Sequence, residues 1–253
     1  MNPTFFSFTQ RKTHLDGERP GTRHAVLYNC ENKNCEGAYT TDALQQSLNQ
    51  NSSEDLNSVL QSIYNNGFSS PQFVETKPNS GKGYYTEDEK TFYPVAKTST
   101  PNKYISGFQY SKDGADKSDQ YVIVIGNEDE GEKDILNTFD KHYGVPEQNI
   151  IRVANPTPAA MEAAYKKVAE NSKGTRPKVL VYVGCEGNWF DDGNDPNDFR
   201  LWEHDLTHQQ TDDQRLNAGT TEAQLKQIHN RYLKDAEVCY LSTSCNSERM
   251  FFS

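Results

Sequence analysis

Apolar residues in the C-terminal half of the chain gather into short unbroken runs, and between the runs they recur at helical spacing. Tyr121-Val122-Ile123-Val124-Ile125 closes on Gly126, the pattern of a strand buried on both faces. Ile135, Leu136, Phe139 and Tyr143 follow three or four apart and stop at Gly144 and Pro146, which predicts a helix and its end. Ile150-Ile151-Arg152-Val153 is a second short strand. Thr157 is placed to N-cap a helix with Pro158 at its first position and Ala160, Met161, Ala164 and Val168 on one face. Val179 to Val183 is the third strand. After a long polar stretch, Thr221 and Gln224 have capping-box spacing ahead of Leu225, Ile228, Tyr232 and Leu233. Val238 to Ser242 is the fourth strand. Four strands separated by three helices predict an α/β domain over residues 119–253, a mainly parallel sheet flanked by helices, with right-handed crossovers.

Residues 1–118 are less regular and read as a mixed α/β region. One helix is well marked there: Ser52 and Ser53 are cap candidates, Leu56, Val59, Leu60, Ile63 and Tyr64 share a face, and Gly67 stops it. Strands are expected near His24–Tyr28 and Tyr104–Tyr110, a loop over Pro78–Gly83, and a linker over Ser111–Ser118.

Charge narrows the choice of partner. The formal net charge is -10, the wrong sign for a general phosphate-backbone binder, so no nucleic-acid partner is expected. Residues 1–118 carry 12 basic and 13 acidic side chains, against 14 and 23 in residues 119–253, so the acidity belongs to the α/β half. Only 34% of residues are hydrophobic and mean hydropathy is -0.90, which implies a thin core and long polar connections. No apolar run reaches the roughly 18 residues of a membrane span, and Met1–Leu15 lacks the apolar core of a secretory signal. Five cysteines, Cys30, Cys35, Cys185, Cys239 and Cys245, are an odd number in a long chain, so reduced thiols in a cytoplasmic setting are expected.

Ligands of open parallel α/β sheets sit beyond the carboxyl ends of the strands. The segments there are Gly126-Asn127-Glu128-Asp129, Gly184-Cys185-Glu186-Gly187-Asn188, and Thr243 through Phe251. Asn127, Cys185 and Thr243 are accordingly candidate binding residues. The order of these segments resembles the caspase–haemoglobinase fold superfamily of caspases, metacaspases, legumain and the catalytic subunit of the GPI transamidase. In that superfamily a strand like Val179–Val183 leads to the catalytic histidine, and a strand like Val238–Ser242 leads to the nucleophilic cysteine. The resemblance places Cys245 at the nucleophile, with Ser247, Met250 and Phe251 like the residues that follow it in legumain-type members. Gly144-Val145-Pro146 through Ile150, and Asn155-Pro156-Thr157, are similar to the segment between the first two strands of bacterial caspase-like and legumain-like proteins.

The chain departs from this pattern where the chemistry lies. Glu186 occupies the position of the family histidine. Reference pKa values of about 4.3 for Glu and 8.5 for Cys put about 5.7 kcal/mol against proton transfer from thiol to carboxylate. A nearby anion would raise the thiol pKa further. Thr243 stands where metacaspase-like members that cleave after basic residues keep an acid, and the strands that follow the cysteine strand in family members are expected either to be absent or to be replaced by residues 1–118. These departures predict a caspase-like pseudopeptidase that binds a protein or peptide partner. The alternative is an active cysteine endopeptidase using Cys245 with an unconventional or partner-supplied base, for which His142, His204, His208 and His229 are the histidines at hand. His204 and His208, four apart, lack a second ligand pair for zinc, as do Cys30 and Cys35. Asp191, Asp192, Asp195 and Asp198 crowd into eight residues with two amides. That composition suits calcium or a solvated acidic turn. No other cofactor is expected.

Overall fold

The computed structural model describes residues 4–9, 23–28, 56, 58, 59, 84, 85, 92, 93, 118–126, 143–189, 199–202, 214, 217–242 and 244. Its strands are β1 (Thr4–Thr9), β2 (Arg23–Tyr28), β3 (Tyr84–Tyr85), β4 (Phe92–Tyr93), β5 (Gln120–Ile125), β6 (Ile150–Val153), β7 (Lys178–Val183), β8 (Glu186–Trp189), β9 (Phe199–Trp202), β10 (Thr220–Thr221) and β11 (Glu237–Ser242). The described helices are α1 (Pro158–Asn171) and α2 (Glu222–Tyr232).

Six strands form one sheet in the order β2-β1-β11-β7-β5-β6, every neighbouring pair parallel. The four strands expected from the apolar runs are therefore neighbours. The expected strand near His24–Tyr28 is β2, and it lies in the same sheet, joined through β1. Residues of the N-terminal region thus extend the sheet beyond β11. The expected strand at Tyr104–Tyr110, the loop at Pro78–Gly83 and most of the helix before Gly144 lie outside the described residues. Of the N-terminal helix, Leu56 and Val59 are helical and fully buried while Ser58 is exposed, as its predicted face requires.

Side chains alternate across a strand, so the sheet has two apolar faces. On one, Tyr121, Ile123 and Ile125 of β5 align with Val179, Val181 and Val183 of β7, and Val238 and Tyr240 of β11 continue the rows. This face packs against Met161, Ala164, Tyr165 and Val168 of α1 and Leu225 and Ile228 of α2. On the other, Val122, Val124, Leu180, Tyr182, Cys239 and Leu241 are all buried as well. Burial on both faces explains why these strands read as continuous apolar runs rather than alternating ones.

Local capping starts both helices. Thr157 Oγ1 accepts from the Ala160 N–H at 3.3 Å, with Pro158 at the first helical position. Thr221 and Gln224 form the full capping box, with Gln224 N–H donating to Thr221 Oγ1 at 3.1 Å and Thr221 N–H to Gln224 Oε1 at 2.9 Å. Ahead of β6, a 3-10 turn at Glu147–Asn149 is fastened to the start of β5. Buried Asn149 donates through Nδ2 to the carbonyls of Gln120 (3.0 Å) and Ser118 (3.3 Å). The long polar stretch before α2 holds a second, antiparallel sheet, β10-β9-β8. Phe199 and Leu201 of β9 join the core cluster, and the Thr220 hydroxyl donates to the Pro156 carbonyl ahead of α1.

Candidate functional site at the carboxyl edge of the sheet

Four of the parallel strands, β6, β5, β7 and β11, end in register, and β1 runs two residues past the pair it makes with the end of β11. Val153 pairs with Ile125, Ile125 with Val183, Val183 with Ser242, and Ser242 with Ser7. All run in one direction, so the segments that follow β5, β7 and β11 leave the sheet from a single line. With strands about 4.8 Å apart, those three exits span about 10 Å. After β5 the chain continues to β6 on one side, then crosses through α1 to β7 on the other side of β5. In open parallel sheets ligands bind outside the strand ends at such a reversal.

Backbone ladders continue one step past the strands. The Gly126 N–H donates to the Val153 carbonyl at 3.0 Å, and the Gly184 N–H to the Ile125 carbonyl at 2.8 Å. Gly126 has φ 143°, a conformation that side-chain-bearing residues rarely adopt, which lets the chain leave the sheet plane directly after its last bond. At β11 the exit is tied by side chains. Ser242 Oγ donates to the Val183 carbonyl (3.3 Å) and accepts from the Ser244 N–H (3.2 Å), while Ser244 Oγ donates to the same Val183 carbonyl (3.2 Å). Both serines are buried. One carbonyl at the end of β7 therefore takes two hydroxyl donors from the end of β11.

The sequence-derived candidates fall as follows. Cys185, two residues past β7, is 3% exposed and belongs to the core cluster with Phe199, Leu201 and Val183, so its side chain packs on the helix side of the sheet. Glu186 is the first residue of β8, its backbone paired opposite Trp202. Asn127, Thr243 and Cys245 lie outside the described residues, as do Asp191, Asp192, Asp195 and Asp198 and the histidines His142, His204 and His208. Among the described residues, no three His, Cys, Asp or Glu side chains gather as a metal site, and no helix is long and apolar enough to cross a membrane.

His229 is a core residue. It is 2% exposed, and its Nδ1 lies 3.2 Å from the Tyr240 hydroxyl, which is 2.8 Å from the Tyr165 hydroxyl. Three polar groups from α2, β11 and α1 thus satisfy one another beneath the helices. Burial holds the His229 pKa down at about 4, because an imidazolium there would lose its hydration. A histidine neutral across the physiological range, with its polar edge turned to Tyr240, is a packing group. Cys239, on the opposite face, is fully buried, and burial pushes its thiol pKa well above the usual value, with Glu237 adding to the rise.

Sequence reasoning did not single out Ser242 and Ser244. The signal was the polar Ser-Thr-Ser run immediately after an apolar strand, the composition of a side-chain-to-backbone turn. No protein-family model matches the sequence, and no curated protein matches it.

Proposed function

We propose that the chain is a caspase-like domain without peptidase activity that serves as a binding scaffold for a protein or peptide. The observation that carries this reading is the common register of the strand ends. It sets the exits of β5, β7 and β11 side by side, with Glu186 in the segment where the resembled family keeps its histidine and Cys245 in the segment where it keeps its nucleophile.

A cysteine peptidase needs a base near neutral pH to take the thiol proton and return it to the leaving amine. Glu186 is mismatched to a thiol by about 5.7 kcal/mol on reference values. The one described histidine of α2 is committed to the Tyr240–Tyr165 network, with its pKa held at about 4. What this edge offers a ligand is a line of backbone exits stiffened by ladder bonds and hydroxyls, suited to holding loops in place for recognition.

The test is cleavage of a complex peptide mixture by the full chain between pH 5 and 8 under reducing conditions, read by mass spectrometry, with Cys245→Ala in parallel. The scaffold reading expects no cleavage sites that depend on Cys245. Cleavage by the wild type that disappears in Cys245→Ala would replace it with an active endopeptidase using an unconventional base.

A further inference from the structure

Two turns meet at the end of the sheet opposite the exits of β5, β7 and β11. β7 and β11 are parallel neighbours that start in register, with Lys178 beside Glu237. Each is entered from a helix, β7 from α1 through residues 172–177 and β11 from α2 through residues 233–236. Both helices pack on the same face of the sheet, so the two turns lie side by side at its amino edge. Between them is a cleft of about 380 Å³, lined by Lys173 and Arg176 from the first turn and by Arg231, Lys234 and Asp235 from the end of α2 and its turn.

The sign of this cleft runs against its surroundings. Residues 119–253 carry 14 basic side chains and 23 acidic ones, yet four cations face one carboxylate here. A cation at a helix C-terminus ordinarily complements the dipole, which amounts to about half a negative charge. One cation would more than offset each end, and here each end has two. Glu162 offsets part of the excess, accepting from Arg231 Nη1 at 2.6 Å and from the Tyr232 hydroxyl at 2.8 Å. The cleft stays positive after these subtractions. Its walls are also held in place before any ligand arrives. Thr175 donates through its N–H and its Oγ1 to the Ser172 carbonyl, both at 2.9 Å, around Gly174 at φ 85°. The Glu237 N–H donates to the Pro177 carbonyl at 2.9 Å, which ties one turn to the other.

The helix ends also select the kind of anion. A compact phosphate is held at helix N-termini, where N–H groups converge, whereas this cleft lies at two C-termini, whose carbonyls call for donors. An acidic peptide brings both complements, carboxylates for the cations and backbone N–H groups for the carbonyls. We propose that the cleft between the α1–β7 and α2–β11 turns docks an acidic peptide segment of a partner protein. The inference goes beyond the scaffold reading, because it concerns the opposite end of the sheet and holds whether or not Cys245 is a nucleophile.

Fluorescence anisotropy of a labelled tetraglutamate peptide, titrated with the intact chain at about 50 mM salt, tests it, with a tetraglutamine peptide as the uncharged probe. The glutamate peptide should bind saturably and the glutamine peptide at least about tenfold more weakly. Lys173→Glu/Lys234→Glu should weaken binding at least about tenfold, because two attractions become two repulsions. Lys166→Glu/Lys167→Glu makes the same charge change on exposed residues of α1 outside the cleft, and should stay within about threefold of wild type. Absence of saturable binding, equal losses in the two double variants, or displacement of the peptide by inorganic phosphate at equal ionic strength would overturn the proposal. Should charge reversal prevent folding, Lys173→Gln/Lys234→Gln carries the same test with an expected loss of at least about threefold. Cleavage that depends on Cys245 would defeat the scaffold reading and leave this result standing, so the two failures are distinguishable.

Discussion

Acid should unfold this protein partly through one imidazole. His229 is neutral in the folded state because burial holds its pKa at about 4, against about 6.5 for an exposed histidine. Between those values the unfolded chain binds a proton that the folded chain refuses, so stability falls as pH drops. The contribution is intact above pH 6.5 and is lost progressively toward pH 4. At pH 4.5 linkage puts the loss at about 2.5 kcal/mol, approaching about 3.4 kcal/mol below pH 4, since each tenfold change in proton affinity is worth about 1.36 kcal/mol. The hydrogen bond to Tyr240 is not what opposes protonation. An imidazolium can donate to the Tyr240 oxygen while that hydroxyl turns to Tyr165. The opposition is desolvation of charge in a site 2% exposed. Urea unfolding of wild type and His229→Gln at pH 7.5 and 4.5 isolates this contribution, because carboxylate protonation is common to both proteins. The wild type should lose about 2.5 kcal/mol more than the variant over that interval. Equal losses would refute the placement of a neutral, desolvated imidazole under α2.

Three further outcomes follow from the same packing. Tyr240→Phe removes both the bond to the Tyr165 hydroxyl and the bond to His229 Nδ1 and should cost about 2–3 kcal/mol in urea unfolding, whereas Tyr165→Phe leaves the Tyr240–His229 bond and should cost about 1 kcal/mol. Thr221→Ala removes half of the capping box and should lower stability by about 1 kcal/mol, with Thr221→Ser restoring most of it in thermal melts. Cys185 and Cys239, both buried, should resist alkylation in the native protein and react together on unfolding. Labelling of either one in native buffer, as mapped by peptide mass spectrometry, would contradict its place in the core.

Features set by neighbours in sequence were legible, and features set by distant partners were not. Thr157-Pro158 and the Thr221/Gln224 pair announce their helices because an N-cap oxygen and the backbone N–H that donates to it lie three residues apart. The runs Tyr121–Ile125, Val179–Val183 and Val238–Ser242 announce buried strands because both faces of each are covered. β1 gave no such warning, since its position depends on parallel pairing with β11, more than two hundred residues away. The small antiparallel sheet was hidden for a related reason: β8 and β9 are four residues each and β10 two, too short for period alone to separate them from the polar connections around them. On the helices, apolar spacing assigned Met161, Ala164, Val168, Leu225 and Ile228 to the core but passed over Tyr165 and His229. A polar ring reads as buried only once the hydroxyl that satisfies it is known. The site divides in the same way. The succession of the four apolar strands along the chain and the loops to inspect came from the sequence, whereas their order in the sheet, the core packing of Cys185 and the bonds of Ser242 and Ser244 to the Val183 carbonyl needed three-dimensional neighbours.

Whether the edge carrying Cys245 lacks a working peptidase centre is decided by the apparent pKa of the Cys245 thiol in the intact wild-type chain, taken from its alkylation rate against pH. The proposed scaffold, in which Glu186 stands where the resembled family keeps its histidine, predicts a value at or above the ordinary 8.5 or so. A value well below that would mean a cation or base stabilises the thiolate, and the protein would have to be read as an active cysteine enzyme.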